Sequence, residues 1–228
     1  MRSGTFRSVI AAVALAALLA ACGGSGSSSN GVASKSPDQI VSASRSAIQG
    51  AKSVHVSGSL VASGQPLSLN LDILSGQGAK GQVSEAGLSF QLIATSNAVY
   101  IKGSRAFLQR FGGAAAVQLF QNRWLKGSSS GQLSSFAQFT NLPAFFNKTL
   151  ASHGKLVKIG TTTVDGQKVV GVRDTTQGGT LYVATTGPAY PVEITKSGAA
   201  GGHITFDHYN ESVSLTAPKG AVDISQFK

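Results

Sequence analysis

Four histidines, nine carboxylates and one cysteine make up the chain's stock of imidazole, carboxylate and thiol chemistry. Their spacing carries little catalytic signal. His203 and His208 differ by an odd number, which puts them on opposite faces of any one strand. No set of His, Cys, Asp or Glu has metal-ligand spacing, so no metal site is expected. Asp207, His208 and Glu211 form the one acid–histidine grouping in the sequence. Such a trio at a strand end is a solvated polar surface far more often than a catalytic set. No glycine-rich phosphate loop joins a strand to a helix, and no Gly-x-Ser-x-Gly occurs. No enzymatic activity and no cofactor are expected.

The thiol is different. Leu19-Ala20-Ala21-Cys22 closes an apolar run from Val9 to Ala20 that follows a basic start with Arg2 and Arg7. This is the layout of a secretory signal. The run is too short to span a bilayer, which takes roughly 20 residues. The last four residues resemble a bacterial lipobox. That resemblance implies diacylglyceryl modification of Cys22, cleavage before it, and lipid anchoring on the extracytoplasmic face of the cell membrane. The other reading is an ordinary Ala-x-Ala signal with a thiol nearby. Acylation, palmitate included, consumes the cysteine, so no disulfide is expected and the fold must rest on its apolar core. The expected organisation is a signal over 1–21, a flexible Gly/Ser linker over 22–36, and one domain over 37–228.

Charge is unevenly placed. The formal net charge falls from +10 to +8 when Arg2 and Arg7 leave with the signal. From Ala86 through Val164 there is no acid at all, while Arg105, Arg110, Arg123, Lys126 and Lys148 all lie there. Such a segment attracts anionic lipid head groups or other polyanions, or is a solvated basic face without a partner. Export argues against nucleic acid.

The elements that must position these groups follow from periodicity. Ser36-Pro37-Asp38-Gln39 reads as a capped helix start, and Ile40, Ala47, Ile48 and Ala51 continue it to about 51. Alternation then marks strands at Val54–Leu60, 67–73, 88–94 and around Val99–Ile101. Residues 104–152 break the pattern and read as two or three short amphipathic helices. Seven of the eleven phenylalanines lie between Phe107 and Phe146. Strands resume near Lys155, turn at Asp165-Gly166, and recur at 168–173, 180–184, 192–195 and 203–209, with a short one expected at Val213 and Leu215.

Several stretches resemble the LppX/LprG lipoproteins of mycobacteria and their actinobacterial relatives. They are Ser44 to His55, Val99-Tyr100-Ile101-Lys102-Gly103, Arg123-Trp124-Leu125-Lys126, Tyr190-Pro191-Val192-Glu193-Ile194 and Phe206-Asp207-His208-Tyr209-Asn210. The resemblance implies an α+β fold, a curved antiparallel β half-barrel with helices packed over its concave face, a shape shared with the more distant LolA/LolB carriers. It implies that an apolar cavity binds acyl chains of a lipid or glycolipid and carries or presents them at the envelope, with an envelope transporter as a further partner. Leu69, Leu71, Phe90 and Leu92 would then line the cavity, and Phe107, Phe111, Phe145 and Phe146 would roof it. Arg105, Arg110 and Lys148 would meet an anionic head group or membrane. A pocket for an acyl pair would need the upper part of the ~300–1,000 Å³ range of ligand sites. The alternative is an envelope scaffold or sensor with a filled core that binds a protein.

Overall fold

The computed structural model describes residues 28–62, 64–131, 133–134, 141–150, 153–198 and 201–227. Cys22 and the signal segment lie outside the described residues, as do Phe136, Phe139 and the side chains of Phe145 and Lys148.

The first helix, α1 (Pro37–Gln49), begins with a reciprocal cap. The Ser36 hydroxyl accepts from the Gln39 amide, and the Gln39 side chain accepts from the Ser36 amide. Ile40, Val41, Ser44 and Ile48 form its buried stripe. Five strands follow as a meander: β1 (Ser53–Ala62), β2 (Gln65–Leu74), β3 (Gly78–Glu85), β4 (Leu88–Thr95) and β5 (Ala98–Gly103). Next come α2 (Arg105–Phe120), β6 (Leu125–Ser128) and α3 (Leu142–Leu150). A second meander holds β7 (Leu156–Val164), β8 (Gln167–Asp174), β9 (Thr180–Ala184), β10 (Pro191–Lys196) and β11 (Gly202–Asp207), and β12 (Val222–Asp223) closes the chain.

The twelve strands among the described residues form one curved, unclosed sheet, ordered β12-β6-β5-β4-β3-β2-β1-β11-β10-β9-β8-β7. Pairing of β1 with β11 welds the two meanders together. Every neighbour pair is antiparallel except β12 with β6. This is the expected half-barrel. Curvature is helped by glycines inside the strands. Gly81 has φ +146°, and a Cβ there would lie 2.0 Å from the Asn70 carbonyl oxygen.

One face of the sheet is apolar across its width. The register aligns Val56, Leu71, Gly81, Leu92 and Ile101 in a single cross-strand row. On this face α1 and α3 pack together, burying Ile40, Ile48, Leu142 and Phe146. Of the insert at 104–152, α3 lies over the sheet as expected, but α1 shares the work and part of the insert, β6, is itself a strand. Two more expectations are corrected. Residues 213–217 are not a strand but an extended strap across the polar face, where Lys80 donates to the Ser214 carbonyl. The second half of the expected linker is part of the domain: Val32 is 2% exposed in the core, and Asn30 donates to the Ala184 and Gly187 carbonyls.

These registers give the sheet two ends. The Ser53 end of β1 lies with Asp207 of β11 and Ala184 of β9, where residues 28–30 dock. The Ala62 end lies with Gly103, Lys196, Thr180 and Asp174.

Candidate functional site

The residues expected to line and roof a cavity meet different fates. Leu69, Leu71, Phe90 and Leu92 all face the helix-covered side and are buried in one continuous core with Ile73 and Ile101. Phe107 packs its ring 5.2 Å from that of Phe90, and Phe146 is fully buried with its ring 4.6 Å from Phe206. Phe111 instead stands on the outer side of α2, 70% exposed, with its ring 4.7 Å from Phe107. Around Leu71 and Leu92 the space is filled by side chains.

The hollow lies further along the same face, at the Ala62 end. It measures about 110 Å³ and is lined by Val41 of α1, Leu150 of α3, and Leu156, Val172, Leu181 and Ile194 of the sheet. An apolar cavity of about 150 Å³ admits a benzene-sized molecule. The hollow therefore has room for the end of one acyl chain, well short of the volume expected for a pair.

Its mouth is made by His153, Asp174, Gly178 and Gly179. Asp174 organises it. One carboxylate oxygen accepts from the Thr176 and Gln177 amides and the other from the Gly154 amide, at 2.8–2.9 Å. These donors, Gln177 foremost and then Gly154, hold its carboxyl below the ordinary aspartate value of 3.8. Above the hollow, the Arg45 guanidinium of α1 donates to the Leu150 carbonyl, clamping the last residue of α3. The Arg45 Nε and the Ser44 hydroxyl beside it are buried without a hydrogen-bond partner among the described residues. Nothing in the sequence pattern singled out Arg45, because a lone arginine on a helix reads as surface.

The basic residues lie elsewhere. Arg105 and Arg110 are exposed on α2, beside exposed Phe111 and Leu119. Ser104 caps this helix, and a left-handed Gly113 breaks it midway. The opposite face of β2–β4 carries a wide trough of about 660 Å³ lined by Asn70, Asp72, Gln82 and Gln91 with Ile93 and Trp124, and its lining also includes Leu69 and Leu92, two of the residues expected to line a cavity. The trough is open to solvent along its length, so an acyl chain laid in it would stay partly in water, and the hydrophobic gain scales with apolar area removed from water.

No family model matches the chain, and no curated protein matches it. Solved structures do. LprF from Mycobacterium bovis superposes with a TM-score of 0.54 and 18% identity, over 81% of this chain and 97% of that one. LppX from Mycobacterium tuberculosis gives 0.48 and 19%, over 79% and 98%. A LolA superfamily protein from Nitrosomonas europaea gives 0.29 and 7%, over 80% and 98%. The likeness to LprF establishes the half-barrel fold that the sequence resemblance led us to expect.

Proposed function

We propose, from the fold shared with LprF, that this chain is an envelope lipoprotein, anchored through acylated Cys22, that takes up an acyl chain of a lipid or glycolipid. The chain enters at the Ala62 end and lies between α1, α3 and β8–β10. The observation that carries this reading is the aliphatic hollow beneath α3, a helix whose last carbonyl accepts from the Arg45 side chain. Releasing α3 enlarges the hollow along an already apolar path toward Phe146 and Phe206. The protein carries or presents its ligand and performs no reaction on it. Exposed Phe111 and Leu119 with Arg105 and Arg110 suit α2 to contact an anionic membrane surface; Lys148 joins them in this reading. Among the described residues no helix is long and apolar enough to cross a membrane. A transporter partner is part of the same proposal.

A second reading is favoured by the packing itself. Leu71, Ile73, Leu92 and Ile101 are fully buried in a solid core, which suits a scaffold or sensor that binds a protein. Native mass spectrometry separates the two. Full-length chain extracted from its own membrane is expected to carry a lipid mass beyond its covalent anchor. Protein that stays ligand-free after incubation with lipid vesicles supports the scaffold instead.

A further inference from the structure

The β1–β11 register brings together groups that the sequence keeps 152 residues apart. His55 lies directly opposite Asp207. The His55 Nδ1 is 2.8 Å from Asp207 Oδ1, and the His208 Nδ1 is 2.7 Å from the same oxygen. One ligand atom from each of the three residues lies within 4.8 Å of the others. The two imidazole rings meet edge-on, 5.7 Å apart.

The arrangement is held from outside. His208 sits at φ +48°, a left-handed conformation uncommon for a side-chain-bearing residue. The turn that contains it is latched to the start of β1. The Asn210 amide donates to the Ser53 carbonyl, the Asn210 side chain accepts from the Lys52 amide, and the Ser53 hydroxyl donates to the Glu211 carbonyl. Tyr190 and Tyr209 stack at 4.0 Å behind it. A strained turn fixed by this many contacts aims His208 back over the end of its own strand. Asp72, the cross-strand neighbour of His55, and Glu211 add negative potential.

We propose that His55, Asp207 and His208 form a binding site for a divalent transition ion of borderline softness, Zn²⁺ or Cu²⁺. Two imidazoles and one carboxylate are a donor set suited to these ions and poor for Mg²⁺ or Ca²⁺, which take oxygen ligands. A tetrahedral ion about 2.0–2.1 Å from each ligand holds its ligand atoms roughly 3.4 Å apart. The His–Asp separations need to widen by about half an ångström, and the imidazoles close on the ion by side-chain rotation. The ion takes the place of the Nδ1 protons that face the Asp207 carboxylate, so each ligating ring keeps its one proton on Nε2 and any second proton passes to solvent. The remaining position stays open to water or to a ligand group, because His208 is on the surface. The site lies on the polar face, at the Ser53 end, away from the acyl hollow, and does not depend on lipid binding.

The test uses the full chain carrying Cys22→Ser, which removes the competing thiol, stripped with chelator. Calorimetric titration with Zn²⁺ is expected to show one equivalent bound. His55→Ala, Asp207→Asn and His208→Asn each weaken it by about tenfold or more. His153→Ala and His203→Ala leave it unchanged, and Ca²⁺ gives no binding. Asparagine tolerates left-handed backbone, so His208→Asn keeps the turn, and it decides the matter if His55→Ala fails to fold. No saturable Zn²⁺ binding, or binding that survives both His208→Asn and Asp207→Asn, overturns the assignment.

Discussion

Arg45 holds the final carbonyl of α3 from the neighbouring helix and adds a polar clamp to the packing of Leu142, Phe146 and Leu150. Arg45→Met keeps the aliphatic stem and removes the donor. Hydrogen bonds from charged groups are worth about 1.5–3 kcal/mol, so amide exchange across 142–150 is expected to quicken roughly ten- to a hundredfold, read by mass spectrometry of hydrogen exchange. Unchanged exchange would mean that packing alone seats the helix. Asp174 acts at the mouth below. Its folded value is depressed, so its contribution is complete above the ordinary 3.8 and is lost as pH falls through the lower, folded value. Asp174→Asn is therefore expected to have a lower urea midpoint than the parent at pH 7, with the two midpoints converging in acid below 3.8. Equal midpoints at pH 7 would remove the carboxylate from this role. Neither residue was legible in the sequence, because a half-buried clamp and a loop-organising carboxylate have no periodic signature. The apolar positions Leu69, Leu71, Phe90 and Leu92 were legible as one face, since alternation fixes sidedness whatever the face packs against.

At the level of elements, strands with strong alternation announced themselves, and β3 did not. Its core-facing positions are Ala79, Gly81 and Val83. They are small because Leu71 and Leu92 on the flanking strands fill the space over them. Strand identity is here imposed by neighbours, which no single-strand pattern can reveal. The same holds for β6, read as part of a helical insert, and for β12, two residues long and defined by its partner. The role of α1 was hidden for a related reason: its apolar stripe was clear, but not that it shares the sheet with α3. The packing leads to a contrast between two substitutions. Leu92→Trp, in the solid part, is expected to cost about 1–3 kcal/mol through overpacking. Ile194→Trp, beside the hollow, is expected to cost less than Leu92→Trp and to reduce lipid co-purification. Urea denaturation and native mass spectrometry read the two effects. Equal stability losses with no change in bound lipid would argue for the filled-core scaffold.

At the scale of the whole molecule, the docked segment 28–36 changes how the domain stands on its membrane. With Cys22 acylated, about six residues separate the anchor from Ser28, a span of at most roughly 20 Å. The ten-residue strands of the sheet are about 33 Å long. Lengthening the Gly23–Ser27 stretch by ten Gly/Ser residues is expected to speed lipid exchange with vesicles that carry the protein and to leave exchange with separate acceptor vesicles unchanged, as measured with a fluorescent lipid. A longer spacer without effect on either rate would show that reach is not limiting. The short leash leaves at the Ser53 end and the hollow opens at the Ala62 end, so the molecule has a heading. On the proposed anchoring through Cys22, an upright molecule turns its back on the leaflet that holds it and would offer an acyl ligand outward. To load from that leaflet such a molecule would have to topple onto its side, so that the proposed delivery becomes a swing between two postures about a fixed foot.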